Sequence, residues 1–331
     1  MTGPAGAVGP SARPAPDVPG SPEPEAVPVR VLLDELTAVM GGARHEARFI
    51  VEEVLDGPGP GVRSRPGTVA PGPAAVARAM ADRRMAGEPL QYIFGHWPFR
   101  GLDLRVDARV LIPRPETEQV VEFALGEARD LLAGSGRGLV VVDAGTGSGA
   151  IALALATELG PIWVREMWAT DTSAGALEVA AVNLAACRAM ATTDGDRALP
   201  PVELVAGSWL TPLPDRLRGC VDLVVSNPPY VTEEEWIGLS SEVHAEPRQA
   251  LVAGPGREDD AGLADVEAVL DECLGWLGRP GAVVVELAPQ QAAVAQRRAL
   301  QLGYDQVRVE SDLAGRPRAL VAQLCSTEGS E

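Results

Sequence analysis

The chain has 331 residues, 46% of them apolar and only 4% aromatic, which is enough for one large α/β core and a smaller companion domain. Its formal charge of −18 weighs against free DNA or RNA as a direct substrate, because gripping phosphate requires a basic face that displaces condensed counterions. Cys187, Cys220, Cys273 and Cys325 lack C-x-x-C spacing, His45, His96 and His244 lie far apart, and no charged leader or apolar run of ~18 residues is present, so neither a metal site, a disulfide framework nor a membrane association is expected and the location is read as cytoplasmic.

Residues 1–27 consist mostly of Pro, Ala, Gly, Ser and Val without a helical or strand period, and predict a disordered tail. A helical domain follows over 28–95. Val31-Leu32-Leu33, Leu36 and Met40, and then Ala47, Ile50, Val51, Val54 and Leu55, recur at three-to-four spacing on either side of Gly41-Gly42. A third helix is expected from Pro73 to Met85, after a Gly/Pro-rich loop between Gly57 and Gly72. Over 96–115, Trp97, Phe99, Leu102, Leu104 and Val106 flank Arg100-Gly101 as a β-hairpin linker, which Val110–Ile112 continues up to Pro113 and Pro115.

The main domain spans 116–325 and opens with an amphipathic helix over Glu116–Leu132; residues 326–331 read as a flexible end. Strands and helices then alternate. Leu139–Val142 precedes a helix over Ala150–Leu159, and Val164–Ala169 precedes one over Ala174–Cys187. Strands at Val202–Val205 and Val221–Ser226, a helix at Leu263–Trp276, a strand at Ala282–Leu287 and a helix at Pro289–Leu302 follow. The order implies right-handed βαβ crossovers and a mostly parallel sheet, with Val307–Glu310 and Ala319–Leu324 as an antiparallel edge pair.

Asp143-Ala144-Gly145-Thr146-Gly147-Ser148-Gly149 lies between a strand and a helix, where glycines allow a tight turn and close approach of a ligand. Asp171 ends the second strand, placed to accept ribose hydroxyls or simply to cap the next helix. Gly145, Gly147 and Ala150 also satisfy the G-x-G-x-x-A dinucleotide pattern, so these features alone leave S-adenosylmethionine and NAD both open. Asp143 favours the former, since a carboxylate repels a pyrophosphate and attracts an ammonium group.

Asn227-Pro228-Pro229-Tyr230 begins the loop at the carboxyl end of a buried strand. Asn227 offers a side-chain carbonyl, Pro228 a rigidly aimed backbone carbonyl and Tyr230 an aromatic face. Two acceptors suit one NH2 group. Holding a planar amide or amine this way favours charge on its nitrogen while a methyl group arrives from a sulfonium aligned near ~3–3.5 Å, and no metal or protein nucleophile is needed. Glutamine and nucleobase substrates fit equally at this point.

The chain resembles the HemK-type peptide chain release factor glutamine N5-methyltransferases. The resemblance runs through Gly87-Glu88-Pro89-Leu90-Gln91-Tyr92-Ile93-Phe94-Gly95, Phe99, Val110-Leu111-Ile112-Pro113-Arg114-Pro115-Glu116-Thr117-Glu118, the Asp143–Gly149 loop and Ser226–Tyr230. It implies an α/β fold of the class I S-adenosylmethionine-dependent methyltransferase type, a Rossmann-like seven-stranded sheet with a small helical N-terminal substrate-recognition domain and a β-hairpin linker. It also implies methyl transfer from S-adenosylmethionine, leaving S-adenosylhomocysteine, to the glutamine of the Gly-Gly-Gln motif in class I release factors. By the same resemblance Asn227, Pro228, Pro229 and Tyr230 hold the glutamine, while Asp143, Gly145, Thr146, Gly147, Ser148, Gly149, Asp171, Ser208, Trp209 and Asn227 hold the cofactor. Trp209 takes the position flanking adenine and Asp171 that of the ribose acid.

Glu246–Leu251, Val285-Glu286-Leu287 with Gln291, and Asp312–Arg316 resemble family segments of structural character, and Arg114 with Glu116 orients the linker or pairs near the pocket. Ser208 stands where an Asp is usual and Ala288 where a Gly is usual. The alternatives are a ribosomal-protein glutamine methyltransferase, whose linker carries an Arg-Ser pair, a nucleobase amino-methyltransferase, and a non-catalytic cofactor-binding module. The linker, the acidity and the intact Asn227 respectively weigh against them.

Overall fold

In the computed structural model, which describes residues 25–56, 67–193, 198–254 and 262–326, a helical unit forms first. β1 (Val27–Pro28) pairs antiparallel with β2 (Thr68–Val69) beside three helices: α1 (Val29–Val39), α2 (Arg44–Asp56) and α3 (Pro71–Met85). Leu32, Leu36 and Ile50 pack against Ala74, Ala77 and Ala81, and this alanine face lets α3 sit close to its partners. α3 begins at Pro71 rather than Pro73, because proline is tolerated in a first helical turn whose N–H groups have no partner anyway. Of the expected tail over 1–27, residues 1–24 lie outside the described residues, but Val27 is already paired in β1; of the expected loop between Gly57 and Gly72, 57–66 lie outside them, while Thr68–Val69 form β2 and Pro71 opens α3; of the expected chain end over 326–331, 327–331 lie outside them.

A short α4 (Leu90–Phe94) ends at Gly95, whose left-handed conformation turns the chain into β3 (His96–Phe99) and its antiparallel partner β4 (Leu102–Arg105). Arg100 and Gly101 join them with φ of 44° and 76°, the paired left-handed geometry that matches strand twist in a two-residue hairpin.

The main domain contains α5 (Pro115–Ser135), β5 (Leu139–Ala144), α6 (Ala150–Trp163), β6 (Val164–Asp171), α7 (Ala174–Thr193), β7 (Val202–Ala206), β8 (Val221–Ser226), α8 (Glu233–Ile237), α9 (Ala264–Cys273), β9 (Leu277–Glu286), α10 (Ala292–Leu302), β10 (Gln306–Ser311) and β11 (Pro317–Leu324). The expected seven-stranded sheet forms in the order β10-β11-β9-β8-β5-β6-β7, parallel except for β11, which runs antiparallel to β9 and β10.

Alternation within β5 and β9 explains why the sheet is buried on both faces. Leu139, Val141, Ala282 and Val284 point into a core shared with Val121, Ala124 and Leu125 of α5 and with α6. Val140, Val142, Val283 and Val285 point the other way, onto Val266 and Leu270 of α9 and Ala295 of α10. Strand order reverses at β5, with β6 on one side and β8 on the other, and such a switch point opens a crevice at the carboxyl ends of the strands.

Over Ala174–Ala191, α7 matches a bilayer span in length and hydropathy, against the expectation that no apolar run reaches that length. Glu178, Asn183 and Arg188 interrupt the run while its alanines keep the average high. Val179, Ala180 and Leu184 of this helix are buried within the fold.

Candidate active site

The crevice is built from strand ends outward. Gly145, Gly147 and Gly149 have φ of 80°, 56° and 84°, a left-handed run that carries the chain from β5 into α6. The amides of Gly145 and Thr146 donate to the Thr170 carbonyl at 2.9 and 2.8 Å, which fastens the turn to the end of β6. Asp143 is fully buried beneath it, and its Oδ2 accepts from Thr146 Oγ1 (2.6 Å) and from the Ala152 amide (3.0 Å). Its Oδ1 has no hydrogen-bond partner among the described residues, and burial pushes the carboxyl up to about 7.

Asp171 accepts from the Gly147 amide at Oδ2 (2.9 Å) and from the Ser173 amide at Oδ1 (2.8 Å). Ser173 bonds the Ala176 amide (3.1 Å) and so performs the helix capping that Asp171 was equally able to supply. Asp171 is thereby left with lone pairs facing the cavity, its carboxyl held above the usual range by burial. Trp209 adopts φ 43°, which its neighbours enforce: its carbonyl accepts from Thr170 Oγ1 (2.6 Å) and the next amide, of Leu210, donates to Glu272 (3.0 Å). Its ring lies over Gly145 so closely that a Cβ there would meet Cζ3 at 3.2 Å.

These groups open on a cavity of about 860 Å³, lined by Gly145, Gly147, Asp171, Ser208, Trp209, Asn227 and Pro229 of the expected site. The others have different places. Thr146 and Ser148 are buried in the turn, Ser148 offering its carbonyl to Asn183 Nδ2 (2.8 Å), and Gly149 lets the loop lie against Leu153 and Ala180. Tyr230 lines a second cavity of about 380 Å³ with Ala288, Gln290, Glu234 and Leu239, so the tetrapeptide forms the partition between two spaces.

Ser226 Oγ donates to the Ala144 carbonyl (2.6 Å), which locks the ends of β8 and β5 together and brings Asn227 beside the glycine turn. Asn227 Nδ2 donates to Thr117 Oγ1 (3.3 Å), Thr117 donates to Glu286 Oε2 (2.7 Å), and the Tyr230 hydroxyl donates to Glu286 Oε1 (3.4 Å). Among the described residues, neither Asn227 Oδ1 nor the Pro228 carbonyl accepts a hydrogen bond. Gln291 Nε2 donates to the Tyr230 carbonyl (3.2 Å), and Gly262 packs so tightly on that peptide that a Cβ would come within 2.3 Å of the same oxygen.

Gly262 and Asn183 are supports that sequence patterns left unmarked, and Thr117 stood in the linker motif without a role of its own, because their importance lies in contacts across 110 residues or more for Thr117 and across separate elements for the others. Arg114 pairs with buried Glu246, which also accepts from the Ile112 amide (3.0 Å), so these residues orient the linker. Glu116 sits 3.8 Å from Arg316, in an exposed pair. Among the described residues no group of three or more His, Cys, Asp or Glu could hold a metal ion.

Residues 32–95 match the family model described as the PrmC N-terminal domain. Over 291 residues the chain is 36% identical to the release factor glutamine methyltransferase of Bordetella pertussis, with 86% of this chain and 96% of that one covered. Over 254 residues it is 39% identical to the release factor glutamine methyltransferase of Moorella thermoacetica, with 76% and 81% covered. It is also similar to a solved structure of the N-terminal domain of human METTL16 in complex with SAH, at 16% identity and a TM-score of 0.45, covering 87% of this chain and 93% of that one.

Proposed function

The chain belongs to the release factor glutamine methyltransferase family, and on that premise we propose how its own residues carry a methyl group from S-adenosylmethionine to the Gly-Gly-Gln glutamine of a class I peptide chain release factor. The observation that carries this reading is that the Gly145–Gly147 turn, Asp171 and Asn227 line one cavity.

The residues fit the cofactor. Asp171 has lone pairs for two ribose hydroxyls, the left-handed glycine turn permits close approach of the methionine portion, Trp209 supplies an aromatic wall, and the unpartnered Oδ1 of Asp143, buried beneath the turn, is an acceptor without a donor among the described residues. When bound, S-adenosylmethionine supplies an electrophilic methyl group on a sulfonium.

Asn227 Oδ1 and the Pro228 carbonyl accept the two N–H bonds of the glutamine amide, fixing its plane and favouring positive charge on nitrogen during transfer. Tyr230, on the wall of the second cavity, offers its aromatic face to the glutamine, while the cofactor occupies the larger cavity. Binding both in register makes proximity the main catalytic contribution. Translation termination places the substrate, and with it this enzyme, in the cytoplasm. No observation favours a ribosomal-protein or nucleobase substrate over this one.

Purified protein is expected to transfer labelled methyl to a class I release factor, and Gln→Ala in the factor's Gly-Gly-Gln motif to abolish labelling. Labelling that survives that substitution refutes the substrate. Asn227→Ala should lower kcat by roughly 10²–10³-fold, the scale for loss of one well-placed hydrogen-bonding group, with cofactor affinity largely retained in calorimetry.

A further inference from the structure

Beneath Asn227 lies a chain of hydrogen bonds with a direction. Asn227 Nδ2 donates to Thr117, Thr117 donates its single hydroxyl proton to Glu286, and Tyr230 donates to the other oxygen of the same carboxylate. Thr117 is 4% exposed and Glu286 1%, so water does not compete for these bonds. An ionised carboxylate can only accept. It therefore claims the Thr117 proton and leaves Thr117 Oγ1 with only lone pairs to offer Asn227. A lone pair at that point selects the amide orientation that turns NH2 inward and Oδ1 outward.

We propose that Thr117 and Glu286 are positioning residues that fix the polarity of the Asn227 amide, so that its oxygen rather than its nitrogen meets the substrate. This rests on the reading of Asn227 as acceptor for the glutamine NH2. The two amide orientations fill the same volume, so packing alone does not choose between them. The reversed one would set NH2 against NH2 and leave a buried donor unmet.

The groups facing Glu286 define when the relay operates. Burial raises its carboxyl to about 7, the Thr117 and Tyr230 hydroxyls and the Arg318 cation favour its charged form, and Glu116 opposes it. A protonated Glu286 can donate to Thr117 instead, which frees the Thr117 proton to face Asn227 and removes the preference. Burial and the Glu286 charge hold the Tyr230 phenol well above its ordinary value against the opposing Arg318 and Arg114 cations, so Tyr230 keeps its proton and remains a donor to Glu286.

The test compares Thr117→Val, Thr117→Ser, Glu286→Gln and Asn227→Ala in the methyl-transfer assay with a class I release factor, alongside cofactor calorimetry and melting temperature. Thr117→Val should lower kcat at least about tenfold, as small misplacements of a reacting group do, without a matching change in cofactor affinity, and Thr117→Ser should restore most of it. Wild-type kcat should rise with pH through about 7, and Glu286→Gln should be slow and lack that limb. Full activity of Thr117→Val, or equal loss in Thr117→Ser and Thr117→Val, overturns the relay. Side-chain NH2 signals of ¹⁵N-labelled protein, assigned by their loss in Asn227→Ala, give a readout that needs no turnover. They should titrate with the Glu286 carboxyl carbon in wild type and cease to do so in Thr117→Val; NH2 signals indifferent to Glu286 in wild type overturn the proposal. If wild type methylates no release factor while these signals titrate together, the substrate assignment fails and the relay stands.

Discussion

Single carboxylates in this site have separable duties. Asp171 is held by two backbone amides and faces the cavity, so Asp171→Ala removes charge-assisted bonds worth about 1.5–3 kcal/mol, and calorimetry with S-adenosylhomocysteine should show affinity falling by roughly 10–100-fold. Gly145→Ala acts by a different route, since its φ of 80° strains any side chain and the new Cβ meets the Trp209 ring. Its expected signature is weakened cofactor binding with near-normal secondary structure, measured by calorimetry and circular dichroism. Both residues were legible as strand-end and turn chemistry. Thr117 stood in the linker motif, but its role was not legible, because a threonine in a first helical turn reads as solvated until the sheet brings Glu286 and Asn227 to it.

At the scale of elements, the buried strands were readable because β5 and β8 are apolar apart from Asp143, Asp222 and Ser226, as a sheet covered on both faces requires. α8 went unmarked although Thr232 and Glu235 form its capping box, because a five-residue helix with four exposed residues and a half-buried Trp236 shows no apolar period. β9 begins at Leu277, five residues before the expected Ala282, since Gly278, Pro280 and Gly281 resemble a turn. α5 is held by burial of Leu125, which is 2% exposed, and Leu125→Ala should cost about 2–5 kcal/mol in denaturant unfolding. Gly262→Ala drives a methyl group into the Tyr230 carbonyl, so its expected effect is loss of kcat through displacement of the tetrapeptide, and wild-type kinetics in that variant would contradict the packing described.

Across the whole molecule, the helical unit is tied to the rest of the chain by charge. Arg84 donates to Glu46 of α2 (2.7 Å) and to Glu242 (3.0 Å) in the segment after α8, and His96 of β3 joins Glu53 of α2 (3.1 Å) to Asp103 of β4 (2.6 Å). Burial works to lower the His96 pKa, but its bonds to Glu53 and Asp103 outweigh it and the net direction is up. A raised folded-state value means that the stabilisation is complete below the unfolded value of about 6.5 and is lost as pH rises through the folded one. The melting-temperature gap between wild type and His96→Gln should therefore be widest under mildly acidic conditions and close in alkali; a constant gap would show that the ring acts by packing.

Asn183 works at this same scale with a single amide. It accepts from the Arg105 amide (2.7 Å) and donates to the Arg105 carbonyl (3.1 Å) and to the Ser148 carbonyl (2.8 Å). On one side it imitates the next strand of the hairpin, occupying at Arg105 the edge groups that a foreign strand would otherwise use for pairing. On the other it holds the back of the glycine turn. At Arg105 the hairpin edge is thus capped by the same amide that holds the glycine turn, so hairpin and turn are coupled through one side chain.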